Sequence, residues 1–150
     1  LDKNGKVDLL FQHTDGTLAV WFMDGINLKS AALLKPSHPG DRNWRLAGVS
    51  DFDSDGNLDL LFQHIDGTLA VWFLNGTALS RASLLSPSNP DASWRAVSVV
   101  DRNTDGRADL LFQHTNLDLA VWLMDGTKLN SAQYLNPRNS GGTWRVVGPK

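Results

Sequence analysis

Short apolar runs bounded by Gly, Asp and Pro fill this chain, and none keeps a helical period. Leu69 to Leu74 (LAVWFL) is apolar at every position, and Asp59 to His64 (DLLFQH) is apolar at its centre. A strand with one wet face alternates. These do not, so both of their faces are expected to be buried. Asp66-Gly67 separates the two runs and suits a tight type I′ hairpin turn, which needs positive φ at both central residues. Trp44 to Ser50 predicts a preceding strand, and Asn75-Gly76 closes the third. A fourth is expected from about Leu79 to Leu85, ended by Pro87, which has no ladder donor.

The pattern repeats. Asp8 to His13 recurs as Asp59 to His64 and Asp109 to His114, at offsets of 51 and 50. Leu18 to Trp21 recurs at the same offsets but Trp44-Arg45 at 50 and 50, so the one-residue difference falls between Pro36 and Trp44. That connector is therefore read as a surface loop. Residues 1–150 form one repeat domain, with units at approximately 1–43, 44–93 and 94–143 and a closing segment at 144–150. In the third unit Asn116-Leu117 replaces Asp-Gly, so its hairpin tip is expected to differ.

Four-stranded antiparallel sheets buried on both faces must stack on one another, and stacking around an axis makes a β-propeller of one blade per unit. A β-sandwich is the alternative, but it leaves one face of each strand solvated. Propellers close at about four to eight blades, and three units fall short. The chain starts at Leu1 inside a loop, without an initiator Met, and Thr143 to Gly148 repeats the first-strand pattern. The expectation is that this C-terminal strand completes the first blade of a neighbouring copy. Two copies would then close six blades, the favoured arrangement, and three would close nine. A piece cut from a longer propeller is the other possibility.

The loop before Asp59 adds chemistry. Asp51, Asp53, Asp55 and Asp59 stand at positions 1, 3, 5 and 9, with Gly56 for a sharp turn and the backbone oxygen of Asn57 at position 7. Oxygens so spaced suit a hard cation such as Ca2+, which would also relieve the repulsion of four like charges. An EF-hand is excluded, because Phe62 stands at position 12, where a bidentate Glu is required. The third unit offers Asp101, Asn103, Asp105, Asp109 and the backbone oxygen of Arg107. The first offers Asp2, Asn4 and Asp8, a set with less formal charge. Asp, Asn and Gly also satisfy loop backbone without any metal, so Asx turns are the competing account.

These residues carry a resemblance. DFDSDGNLDLLFQ from Asp51, the Trp-Arg before it and the AVWFLNG after it resemble the FG-GAP/VCBS repeats, blades of integrin α-subunit heads and of many secreted bacterial proteins. The resemblance extends over the whole chain. It implies a propeller fold, Ca2+ in the Asp loop between the first two strands, and a secreted location, although no signal peptide stands at the start of this sequence.

The remaining candidates are weaker. His13, His64 and His114 end the second strands; repeated around an axis they would make a metal or ligand site, and singly each would bond a strand-end backbone group. Trp21, Trp72 and Trp122 are read as core. Trp44, Trp94 and Trp144 are read as packing between blades, with sugar stacking as the functional alternative. Arg45, Arg95 and Arg145 are expected to pair or stack across blades, with a loop Asp of the neighbour as one partner.

A net charge of -2 with no long Lys/Arg cluster argues against nucleic acid, and no stretch reaches the roughly 20 apolar residues of a membrane helix. There is no cysteine. Undifferentiated, repeated sites argue against an enzyme. The expected function is a non-enzymatic, self-assembling scaffold or binding module with Ca2+ loops and a glycan or protein ligand. A multivalent lectin and a fragment of a larger secreted enzyme or adhesin are the alternatives. The near-identity of the units also fits an engineered or reconstructed repeat protein.

Overall fold

A computed structural model describes residue 1 and residues 3–147. The apolar runs become strands. The first sheet contains β1 (Leu9–Gln12), β2 (Leu18–Asp24) and β3 (Asn27–Leu33). The second contains β4 (Trp44–Ser50), β5 (Asp59–His64), β6 (Leu69–Asn75) and β7 (Ala78–Leu84). The third contains β8 (Trp94–Val100), β9 (Asp109–His114), β10 (Asp118–Asp125) and β11 (Lys128–Asn139). All pairings between these strands are antiparallel, and no helix occurs among the described residues. Each sheet is a blade.

Both faces of the middle blade are covered. Leu60, Phe62, Trp72 and Leu74 pack against Leu18, Val20 and Leu34 of the first blade. From the opposite face, Leu61, Val71 and Phe73 join Ala96, Leu110, Phe112 and Trp122 of the third. Near the inner strands the blades meet closely at Gly48, where an added Cβ would lie 2.2 Å from Val99 Cγ2. At the outer side, Lys35 bridges to Ala78 and Ser86 to Lys128, so each connector is tied to the next blade's last hairpin.

Three local expectations require correction. Among the hairpin residues Ile65, Asp66 and Gly67 only Gly67 has positive φ, at 95°, so the turn is not type I′. Gly67 N donates to His64 O and His64 N to Thr68 O, which describes a three-residue loop closed by a left-handed glycine. In the third unit Leu117 keeps the equivalent bond to His114 O and itself takes φ 74°; the tip is retained there with a strained residue rather than rebuilt. The last strand of that unit runs through Pro137 to Asn139. As an outer strand β11 has one unpaired edge, where proline costs no ladder bond.

Trp144–Val147 is not in a strand. Gly148, the last residue of the expected closing strand, lies outside the described residues together with Pro149, Lys150 and the candidate ligand Asp2.

Candidate functional site

The Asp loop sits between β4 and β5. Asp59 opens β5 beneath it and is fully buried. Its Oδ2 accepts from Phe52 N at 2.9 Å and its Oδ1 from Leu74 N at 3.1 Å, so one carboxylate ties the loop to the third strand. Asp109 repeats this with Arg102 N and Met124 N, and Asp8 with Leu1 N and Met23 N. Position 9 is thus a structural clamp in every unit, whatever else it binds.

Around that clamp the second unit gathers charge. Asp51, Asp53 and Asp59 each place a carboxylate oxygen within 4.8 Å of the others. Burial raises the Asp59 pKa above the ordinary carboxylate range; its two backbone bonds oppose the shift, and the charges of Asp53 and Asp51 add to it. A divalent cation fits this donor set: three hard oxygens converge, and the group is strained by its own like charges. Asp55 lies outside the trio, with both oxygens held by Asn57, through N at 2.7 Å and Nδ2 at 2.9 Å. Asp51 also accepts from Asp55 N and Gly56 N, closing the loop's turn from its start, while the bond from Asn57 N to Asp55 is the Asx turn. Turn and cation site therefore share residues.

The other loops differ. In the third unit Asp105 bonds Asn103 and Arg107 N, Asp101 caps Asp105 N and Gly106 N, and Arg107 pairs with Asp125 at 2.7 Å. Among the described residues, the group of three convergent carboxylates is that of the second unit. Arg81 was not evident as a neighbour from the sequence. Its guanidinium lies 2.9 Å from Asp53 and 3.3 Å from the Phe73 ring centroid, and Ser30 and Ser131 replace it in the other units.

A second repeated device was missed. Gln63 Nε2 donates to Trp94 O at 2.8 Å, and its Oε1 accepts from Ala96 N at 3.0 Å. Gln12 makes the same pair of bonds to Trp44 O and Leu46 N, and Gln113 to Trp144 O and Val146 N. A glutamine of each second strand thus clasps the Trp-Arg segment of the following repeat, an inner strand for Gln12 and Gln63 and the Trp144–Val147 stretch for Gln113. An amide at the end of an apolar strand in all three units was the available signal. Through this clasp Trp144–Val147 occupies the place that Trp44 and Trp94 occupy in the preceding blades, without a sheet of its own.

The histidines act locally: Nδ1 of each accepts from the backbone N–H two residues on. His13 and His64 also lie 2.9 and 3.0 Å from Asp15 and Asp66. Hydrogen bonds from Thr68, with His64 adding to them, hold the Asp66 pKa down to about 2. The rings of Trp44 and Trp94 lie tilted against His64 and His114, their cross-strand partners within the same blade, with centroids 5.0 and 4.8 Å apart. The arginines depart from expectation. Arg45 donates to Gln63 Oε1 and Ala96 O, and no ion pair among the described residues involves Arg45, Arg95 or Arg145.

Stacked antiparallel blades, one of three strands and two of four, define a propeller-type repeat protein. Residues 51–112, from the second Asp loop to the second strand of the third blade, match the family described as FG-GAP-like repeat. No curated protein and no solved structure shows significant similarity to the chain.

Proposed function

We propose that the chain is a non-catalytic scaffold and binding module whose blades close into a ring by joining copies, with Ca2+ held in the Asp51 loop. The observation that carries assembly is an inequality between equivalent positions. Leu9, Phe11 and Trp21 of the first blade are 43, 40 and 40% exposed, whereas Leu60, Phe62, Trp72, Leu110, Phe112 and Trp122 are at 8% or less. The preceding blade covers the buried six. A blade of the same repeat is the complementary shape for the open three, and in the 150-residue chain that blade comes from a second copy. Sedimentation should give two copies of the 16.5 kDa chain, or three, rather than one. A monomer at micromolar concentration would sink the assembly.

Calcium is proposed on Asp51, Asp53 and Asp59, with Asp55 and the Asn57 carbonyl completing the shell, and more weakly on Asp101, Asn103, Asp105, Asp109 and the Arg107 carbonyl. Calorimetry should give saturable heat, and a 100-fold excess over the dissociation constant should add about 2.7 kcal/mol of stability per site. Because Asp59 titrates above the ordinary range, affinity should fall at milder acidity than for an ordinary Asp site. In metal-free protein the sign is opposite. Stability from this group is complete below its unfolded pKa and is lost as pH rises through the raised value, the loss that Ca2+ would offset. No heat and no shift in melting temperature on adding EDTA would refute the metal.

A multivalent carbohydrate-binding role is the second reading. Trp94, Trp122, Tyr134 and Pro90 line a groove of about 210 Å³ on the third blade, with aromatic walls suited to a sugar face. A glycan array with and without Ca2+ separates the two roles. The secreted location and the glycan or protein ligand stand on the family resemblance.

A further inference from the structure

Each inner strand carries an arginine immediately after its tryptophan, and all three arginines border one space. Arg45, Arg95 and Arg145 line a cavity of about 660 Å³ between the inner strands, together with Ser93, Gln113 and Thr115. None of its lining residues is acidic. Three permanent positive charges bordering an acid-free space repel one another unless an anion joins them. Arg45, the most enclosed, bonds only neutral oxygens: Gln63 Oε1 at 3.1 Å, Ala96 O at 3.3 Å and Leu46 O at 3.4 Å. Burial, with the charge of Arg95 added, lowers its pKa to about 10, the direction expected of a cation lacking a counter-ion. Elsewhere the described residues do neutralise arginines, as in Arg81–Asp53, Arg107–Asp125 and Arg138–Asp118. Arg42 and Arg102 also lack an ion pair among the described residues, so what sets the inner arginines apart is that three of them border one acid-free cavity.

We propose that this cavity is an oxyanion site, taking a multiply charged group of the phosphate or sulfate type between the guanidinium groups of Arg45, Arg95 and Arg145. The guanidinium fork matches two oxygens of such a group, and three guanidinium groups bordering one space suit a multiply charged group with several oxygens better than a single carboxylate. The site uses residues of one chain and involves no Asp loop, so it stands whether or not calcium binds.

The test is calorimetry and thermal melting of the 150-residue chain with inorganic phosphate and sulfate, in calcium-free buffer, against chloride at equal ionic strength. Arg95→Gln and Arg145→Gln are the informative variants: both side chains are exposed and neither makes a hydrogen bond among the described residues, so folding should persist. Phosphate or sulfate is expected to bind saturably and raise the melting temperature beyond chloride. Each variant should weaken binding by roughly tenfold, one charge-assisted bond's worth. Arg95→Lys should recover part of the loss, keeping the charge without the fork. An oxyanion effect equal to that of chloride, or one unchanged in both glutamine variants, would overturn the site.

Discussion

Asp59→Ala is expected to destabilise the metal-free chain by about 4 kcal/mol, because it leaves two buried backbone donors without an acceptor at roughly 1–3 kcal/mol each. Those donors are Phe52 N and Leu74 N, and Asp59 itself is fully buried. Set against total stabilities of about 5–15 kcal/mol, the loss is a large fraction of what holds a domain together. Asp59→Asn keeps one acceptor oxygen and should lose about half as much. Asp55→Ala is the contrast: Asp55 is exposed and bonds only Asn57, so urea unfolding without calcium should move by under about 0.5 kcal/mol. If Asp59→Ala costs no more than Asp55→Ala, the carboxylate is not a clamp and its burial needs another explanation. The pair separates the two roles of one motif. Position 9 holds the blade together with or without metal, and position 5 has only the loop and the cation to serve.

That division explains how much of the molecule could be read from residues alone. β4 and β5 fall on Trp44–Ser50 and Asp59–His64 as expected, because continuous apolar runs between Asp and Gly are a local signal. The stacking of blades was legible for the same reason: residues apolar on both faces need two covers. What was not legible depends on partners distant in sequence. Gln63 reaches Trp94 and Ala96, 31 and 33 residues away, and Arg81 reaches Asp53, 28 residues away. No spacing rule within one unit reports those contacts. The arginines were expected to meet carboxylates because arginines usually do, and only the fold shows that their rim contains none. The hairpin shows a smaller failure. Asp-Gly correctly marked a turn, but the bond from His64 N to Thr68 O, which decides the turn's length, is a property of strand register. The Asp loop lies between these cases. Its carboxylates are plain in the sequence, yet their sorting into a convergent trio with Asp55 outside depends on Asn57 and the buried strand end.

Phe11→Asp should convert the assembled protein into a folded 16.5 kDa monomer, while Phe62→Asp should prevent folding altogether. The two phenylalanines are the same repeat position, and each packs on the tryptophan of the next strand, Phe11 tilted on Trp21 at 4.9 Å and Phe62 edgewise on Trp72 at 5.2 Å. Their surroundings differ. Phe62 is 1% exposed between two blades, where an unpaired carboxylate costs several kcal/mol at least. Phe11 is 40% exposed on the single chain, so its aspartate can reach water until another blade covers it. Circular dichroism should therefore stay unchanged in Phe11→Asp while sedimentation mass falls. A second lesion tests the strand rather than the face. Trp144 N donates to Gly141 O and Val146 N to Gln113 Oε1, which leaves Arg145 N to pair with a neighbour's β1, as Arg45 pairs with Gln63. By that register Arg145 would meet Gln12 of the second copy. Arg145→Pro removes the donor without touching the Gln113 clasp, and Arg145→Ala keeps it. Loss of assembly in the proline variant alone would support strand completion. Assembly that survives Arg145→Pro but not Phe11→Asp would mean that the copies join by blade faces and leave β1 an open edge.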